Sequence, residues 1–335
     1  MLKKYPKLSI IVPTLNNGSE IEYFLKTIQD QTYDQNKIEI LLIDGGSSDN
    51  TRELGKKHNL MIIDNPHILA EPAVALGMEQ ATGDLMMVLA TDNIFKHSTD
   101  LEIMVSVFED ESIYAALPKQ NYDSSDNLLT KYHNTFTDPF NHFVYGYASN
   151  ARTFKKIYKT IKHTDSYDVY DFSSSEIFPM ISFSQGFTVR SDYRRSKQDF
   201  LDDVTPVMNL IKENKNIGYV HAVSIYHHTI KNLAHFIKKQ RWATQNALEG
   251  KKYGISHRKN RLPFSQQIKI YLWPLYSLSV IFPTLRSLIG FIQDNEPLWL
   301  MHPFECLLCA YANTIQLLEY NMSKLSRKNR VISRQ

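Results

Sequence analysis

Apolar, mostly β-branched residues run unbroken from Leu8 to Val12 and stop at Pro13, a pattern that predicts a buried strand feeding a loop. The spacing then changes: over Gly18 to Gln31 the residues Ile21, Phe24, Leu25 and Ile28 recur at helical intervals. A second apolar run, Ile38 to Ile43, leads into a Gly-Ser-Asp loop and a charged helix reaching His58. Two further strands are predicted at Leu60 to Ile63 and Leu85 to Leu89, with a helix over Glu71 to Ala81 between them. Strands alternating with helices imply an α/β domain with a mostly parallel sheet wrapped on both faces.

Between Tyr114 and Phe183 the chain is rich in Tyr, Asn, Ser and Asp and weakly periodic, which reads as loops and insertions. Periodicity returns with a strand from Gly186 to Val189, a helix from Asp203 to Glu213, strands around Gly218 to Val220 and Ala222 to Tyr226, and a helix from Asn232 to Leu248. Beyond Leu262 the texture is apolar. Ile270 to Leu285 carries no charge, but Pro274 and Pro283 interrupt it and it falls short of the ~20 residues of a spanning helix. Pro297 to Leu318 is long enough, yet His302 and Glu305 sit inside it. Two imperfect apolar helices predict an interfacial or re-entrant hairpin, the alternative being a helical pair packed on the main domain or in a dimer interface. The division expected is a main domain over 1–230 with halves 1–95 and 96–230, a basic helix and linker over 231–262, an apolar hairpin over 263–320 and a basic tail over 321–335.

Composition adds charge asymmetry to this picture. Net charge is +3 over 335 residues, with 43% hydrophobic and 22% charged residues, an ordinary globular balance. Lys231 to Leu262, however, holds nine Lys/Arg against Glu249 alone, and Asn321 to Gln335 holds five against none, leaving −10 for the rest. A basic C-terminal third points to an anionic membrane surface or a phosphorylated ligand, with a plainly solvated helix face as the alternative. No nucleic-acid partner is expected. The two cysteines, Cys306 and Cys309, exclude a disulfide framework and read as core or lipid-facing thiols. Met1 to Lys7 contains no long apolar stretch, so the expected location is the cytoplasm or the cytoplasmic face of a membrane.

In open α/β sheets ligands bind beyond the carboxyl ends of the strands. Three polar clusters fall there: Thr14 to Asn17, Asp44 to Thr51 and Thr91 to Asn93. Each alone is also compatible with ordinary turn chemistry. Ser48 or Asp49 stands where the orphan amides of the following helix need an acceptor.

The stretches Leu8-Ser-Ile-Ile-Val-Pro-Thr-Leu-Asn-Asn17, Ile40-Leu-Leu-Ile-Asp-Gly-Gly-Ser-Ser-Asp-Asn-Thr51 and Ala81-Thr-Gly-Asp-Leu-Met-Met-Val-Leu-Ala-Thr-Asp-Asn93 resemble, in order and spacing, the family 2 glycosyltransferases and their GT-A fold. The resemblance implies an inverting enzyme that takes a nucleotide sugar, with Pro13, Thr14, Asn16 and Asp44 on the donor and Asp44 on its nucleoside. It implies a divalent ion, Mg²⁺ or Mn²⁺, held by a DxD motif. Here the first Asp of that motif is Ala90, which leaves Asp92 as metal ligand, with Asn93 beside it and metal dependence open. An Arg-Asn pair common in relatives is Val74-Ala75. Arg190, Arg194 and Arg195 after the Gly186 strand and Lys238 and Arg241 on the basic helix are the candidate replacement cations. Lys238-Lys-Gln-Arg-Trp242 resembles a QxxRW motif, with Lys in place of its Gln, in which Arg241 would clamp the diphosphate and Trp242 would stack on an acceptor.

Phe200-Leu-Asp-Asp-Val204 resembles the family's acidic motif at a helix start, which makes Asp203 the general base and Asp202 its neighbour. Two acids there also complement a helix dipole. His228, chosen over His227, completes the metal site in this reading, since adjacent strand residues point to opposite sides. The acceptor implied is a glycan or lipid-linked hydroxyl at a membrane surface, with a homo-oligomer through the C-terminal helices as a further expectation. The rivals are a GT-A binding or scaffold module that has lost its chemistry and a nucleotidyltransferase. The latter is weakened by a first loop, Asn16-Asn-Gly18, that carries no cation.

Overall fold

A computed structural model describes residues 5–195, 202–248 and 254–332, with side chains to 324. Phe200 and Leu201 of the acidic motif, Glu249, Lys251 and Lys252 of the basic segment and Arg334 of the tail lie outside the described residues.

The strands are β1 Leu8–Thr14, β2 Ile38–Asp44, β3 Met61–Asp64, β4 Leu85–Val88, β5 Asn93–Phe95, β6 Ile113–Asn121, β7 Lys159–His163, β8 Asp168–Asp171, β9 Phe187–Arg190 and β10 Asn216–His227. The helices are α1 Ile21–Gln29, α2 Thr51–Lys57, α3 Ala70–Gln80, α4 Asp100–Ser106, α5 Leu128–Phe136, α6 Pro139–Tyr145, α7 Thr205–Lys212, α8 Leu233–Leu248, α9 Ile255–Arg258, α10 Phe264–Leu278, α11 Ile281–Asp294 and α12 His302–Ile332.

All ten strands form one sheet in the order β3-β2-β1-β4-β9-β6-β10-β8-β7, with β5 paired to β10. From the pairings, β1, β2, β3, β4, β6, β7 and β10 run one way and β5, β8 and β9 the other. The unbroken apolar runs have a direct cause. Strand β1 is covered on both faces: Ile11 joins the core with Val74 and Met78 of α3, while Ile10 and Val12 join the core with Phe24 and Ile28 of α1. Strand β9 comes late in the chain but lies between β4 and β6, antiparallel to both. The two short strands expected at Gly218 and Ala222 are one strand, β10, whose register against β6 shifts between Val220 and Ser224.

The C-terminal third departs most from expectation. Pro274 lies inside α10 and Pro283 in the first turn of α11, and the break falls between them at Ser279 and Val280, where Val280 has φ +58°. A β-branched residue in the left-handed region marks a sharp corner, and the two helices meet at 98°. Among the described residues no single helix is long and apolar enough to cross a membrane. The division expected between 320 and 321 is absent, because α12 runs unbroken to Ile332.

His302 and Glu305 interrupt the apolar run because they face inward. His302 bonds the hydroxyls of Tyr132 and Tyr276, and Glu305 lies 3.1 Å from His133 Nε2, tying α12 to α5 and α10. Burial pushes the Glu305 carboxyl well up and the His133 imidazole down to about 3, so this contact is a neutral hydrogen bond. Cys306 and Cys309 are free, buried thiols in the same layer.

Candidate functional site

The three polar clusters lie at the carboxyl ends of β1, β2 and β4, and two of them are stitched together. Asn16, at φ +57°, donates its amide to Ser47 Oγ at 2.8 Å, and its side-chain oxygen accepts the Ser48 amide at 2.8 Å. The Asn17 amide donates to Thr51 Oγ1, and Asp49 accepts from the amides of Gly18 and Thr51. Of the two helix-capping candidates, Asp49 performs the task. Asp44 stands opposite Thr14 in register. Its carboxylate is fully buried and accepts from the Ser47 amide and hydroxyl and from Arg52 at 2.8 Å. Burial alone would raise its pKa, but those donors prevail and hold it below the usual range. Arg52, in the first turn of α2, is therefore the cation at this end, and its place right after the Gly-Gly-Ser-Ser-Asp loop was its signal. Pro13 is half-buried, and the Thr14 hydroxyl is buried without a hydrogen-bond partner.

Asp92 sits between β4 and β5. Because His227 pairs with Asn93 across β5 and β10, its ring faces Asp92, with Nε2 3.4 Å from Asp92 Oδ2. Gln185, at φ +54° before Gly186, places its amide 3.2 Å from the other ring nitrogen. His228 turns the opposite way, 2.9 Å from Asp126 and 3.7 Å from Asp123. The choice of His228 is thus corrected to His227: the alternation argument holds, and the register against β5 decides its outcome. Burial works against the Asp92 charge, but His227 and Lys239 outweigh it and keep the carboxyl strongly acidic.

Asn93 donates to Asp92, while its own amide oxygen is buried without a partner. One carboxylate, one imidazole and one unsatisfied amide oxygen are a donor set that fits a hard divalent ion such as Mn²⁺ or Mg²⁺. A separate cluster of possible ligands, His163, Asp168 and His221, lies at the far side of the sheet on β7, β8 and β10.

Beside His227 opens a cavity of about 490 Å³, lined by residues of β6, β10, α5, α6, α8, α9, α10 and α12. Asp203, His227, Thr229 and Lys239 all line it. Burial and the neighbouring Asp202 charge raise the Asp203 carboxyl, with Arg258 and Arg195 pulling it back. Asp202 has another task. It is fully buried, accepts the Thr205 amide at 2.9 Å at the start of α7 and pairs with buried Arg258, so it anchors the loop on which Asp203 stands.

Three cation and stacking assignments fail geometrically. Arg190 ends a strand that runs against its neighbours, pairing with Leu85 at the start of β4, so it lies at the wrong end of the sheet. Its guanidinium is committed to the carbonyls of Ile113, Phe108 and Asp110. Arg241 ties α8 to Gln316 and Glu319 of α12. The α8 face on the cavity carries Lys239, Gln240, Ala243, Thr244 and Ala247, which leaves Arg241 and Trp242 off it. Lys239, inside the quoted Lys238–Trp242 segment, is the cation sequence reasoning missed. It donates to Thr229 at 2.6 Å and lines the cavity.

A strand-end cleft, an Asp–His pair and an adjoining cavity with a raised carboxyl thus stand on a mostly parallel sheet wrapped by helices, the GT-A fold. The family model described as glycosyl transferase family 2 matches residues 9–175, and the chain belongs to that family. It is similar to glycosyltransferase AglE of Haloferax volcanii, 32% identical over 99 residues, which are 28% of this chain and 32% of that protein. It is also similar to glycosyltransferase GlyG of Streptococcus pneumoniae serotype 4, 32% identical over 127 residues, 36% of this chain and 41% of that protein. The chain therefore spans well under half the length of these curated relatives. Among solved structures, the mannosyltransferase PcManGT of Pyrobaculum calidifontis, in complex with GDP-Man and Mn²⁺, overlaps 92% of this chain and 87% of its own at 15% identity and a TM-score of 0.49.

Proposed function

We propose that the chain transfers a sugar from a nucleoside-diphosphate sugar to a hydroxyl of a glycan or lipid-linked acceptor at a membrane surface, with inversion at the anomeric carbon. The observation that carries this reading is the cavity itself, which the raised Asp203 carboxyl lines together with His227 and Lys239. An acceptor hydroxyl held in the cavity attacks the anomeric carbon and passes its proton to Asp203. The bond from that carbon to the diphosphate oxygen breaks on the side of Asp92. A carboxyl raised toward neutrality is better matched to accept a proton near pH 7 than an ordinary aspartate.

The departing diphosphate carries growing negative charge, which Lys239 meets with a single ammonium. A divalent ion on Asp92, His227 and Asn93, when bound, supplies further neutralisation of that charge. Asp202 and Arg258 hold the Asp203 loop in place. The test combines Asp203→Asn with a titration of UDP, GDP and their sugars, with and without Mn²⁺. Donor binding retained and transfer lost supports the assignment. Full transfer by the variant, or no nucleotide bound by the unaltered protein, overturns it.

A further inference from the structure

Helices α10 and α11 are amphipathic the wrong way round for a protein surrounded by water. On α10 the buried positions are Gln266 and Ser277, each 1% exposed, together with Trp273, while Phe264 is 77% and Leu275 71% exposed. On α11 the buried positions are Pro283, Ser287 and Gly290, while Ile281, Phe282, Leu285, Leu288 and Ile292 face out, Ile292 at 78%. Gly290 has no room for a side chain, because the Trp299 ring lies 2.4 Å from the place a Cβ would take.

Charge follows the same inversion. Every exposed residue from Phe264 to Ile292 is uncharged. The two cations in that stretch are turned inward: Arg286 lies over the rings of Trp299 and Tyr147, 4.1 and 5.1 Å from their centroids, and Lys269 is depressed by burial with Arg286 adding to it. On α12 the exposed Phe304, Leu307, Tyr311, Leu318 and Met322 continue an apolar stripe.

We infer that the α10–α11 elbow is a lipid-facing wedge that sits in one leaflet of an anionic membrane without crossing it. In water an apolar face of this extent is a liability, and in a leaflet it is the favourable side. Neither helix alone is long enough to span, and the 98° bend between them fits an elbow that enters and leaves on one side. Charge complementarity selects the occupant: Lys259 and Arg261 stand just before α10, Lys324 stands beyond the stripe on α12, and the sequence continues with Arg327, Lys328 and Arg330. Cations that flank an uncharged face along the sequence are suited to anionic headgroups. A second copy of this chain would bring the same cations against themselves.

The geometry also joins lipid and site. Trp273 lines the cavity from the inner side of α10, and Tyr271, Leu272 and Leu275 are exposed on its outer side. The cavity and the lipid face are thus about one helix diameter apart, ~10 Å. Resting on the transferase reading, this favours an acceptor tethered to the same membrane.

The test is flotation of the full chain with vesicles of phosphatidylcholine alone or mixed with phosphatidylglycerol, beside the variant Leu275→Glu/Ile281→Glu/Ile292→Glu, whose altered positions are all exposed. The unaltered protein is expected to float with the anionic vesicles and more weakly with the neutral ones, and the variant's partitioning is expected to fall at least tenfold with its circular dichroism unchanged. Equal flotation of both proteins overturns the inference. So does an unaltered protein that ignores vesicles while running as a dimer that the variant dissolves. Flotation needs no sugar donor, so failure of UDP or GDP binding alone strikes the reading of the site and leaves the lipid face standing.

Discussion

Asp92 Oδ2 lies 3.4 Å from His227 Nε2, while the next residue, His228, is held by Asp126 on the other side of the strand end. His227→Ala should therefore weaken Mn²⁺-dependent binding of UDP or GDP by at least ~10-fold, the lower range for disturbing a metal's surroundings. His228→Ala should leave it unchanged. Calorimetric titration of the nucleotides with and without Mn²⁺ separates the two, and a larger loss in the His228 variant would restore the other assignment.

Asp203 should set the acid limb of the pH–rate profile. Its carboxyl is raised by burial and by Asp202, so activity falls as pH drops through a value above the ~3.9 of an ordinary aspartate. Asp203→Asn should lower kcat about 100-fold or more with nucleotide affinity intact. Steady-state kinetics from pH 5 to 8 would contradict the role if the acid limb were unmoved in Asp203→Glu and activity persisted in Asp203→Asn.

Replacing Lys239 by Met keeps most of the side chain and removes its charge. Hydrogen bonds to charged groups contribute about 1.5–3 kcal/mol, which corresponds to roughly 10- to 100-fold in affinity for a nucleoside diphosphate. Arg241→Met, off the cavity, should cost stability and leave that affinity alone. Binding measured against melting temperature for the two variants distinguishes a ligand contact from a helix tie.

Buried histidines make the helical layer sensitive to acid. His133 and His302 are each pushed down to about 3 by burial, and His142 is also depressed. The unfolded chain takes up protons near pH 6.5, so the stability these groups contribute is present above that pH and lost as pH falls below it. Glu305 acts in the opposite sense: its carboxyl is raised, so its contribution is full below ~4.3 and fades as pH rises. Melts of the unaltered protein and Glu305→Gln should coincide near pH 4, with the variant gaining progressively toward pH 8.

What sequence made legible follows from which contacts are local. The strands β1, β2 and β4 are covered on both faces, so their apolar runs needed no knowledge of partners, and the polar loops after β1 and β2 do meet at one end of the sheet. Arg190 misled because a strand's direction is a property of its pairing, and β9 runs antiparallel between β4 and β6. His227 and His228 differ only in register against a three-residue strand. Lys239 and Arg241 differ only in which side of α8 meets α12 and which meets the cavity. In α10 and α11 the periodicity was visible, but a pattern alone carries no sign for inside and outside, and here that sign is inverted.

The position of β9 has a consequence for how the chain reaches its fold. The edges of β4 and β6 cannot close on each other, since the strand that joins them is made only after the whole segment between Asn121 and Phe187 has been synthesised. The β1–β4 half pairs over short separations and can form early, whereas the half bearing β6, β9 and β10 waits for distant partners, the slower class of contact. A nascent chain therefore passes through a stage with a nearly complete β1–β4 half and an open apolar sheet edge, the stage most in need of protection from aggregation.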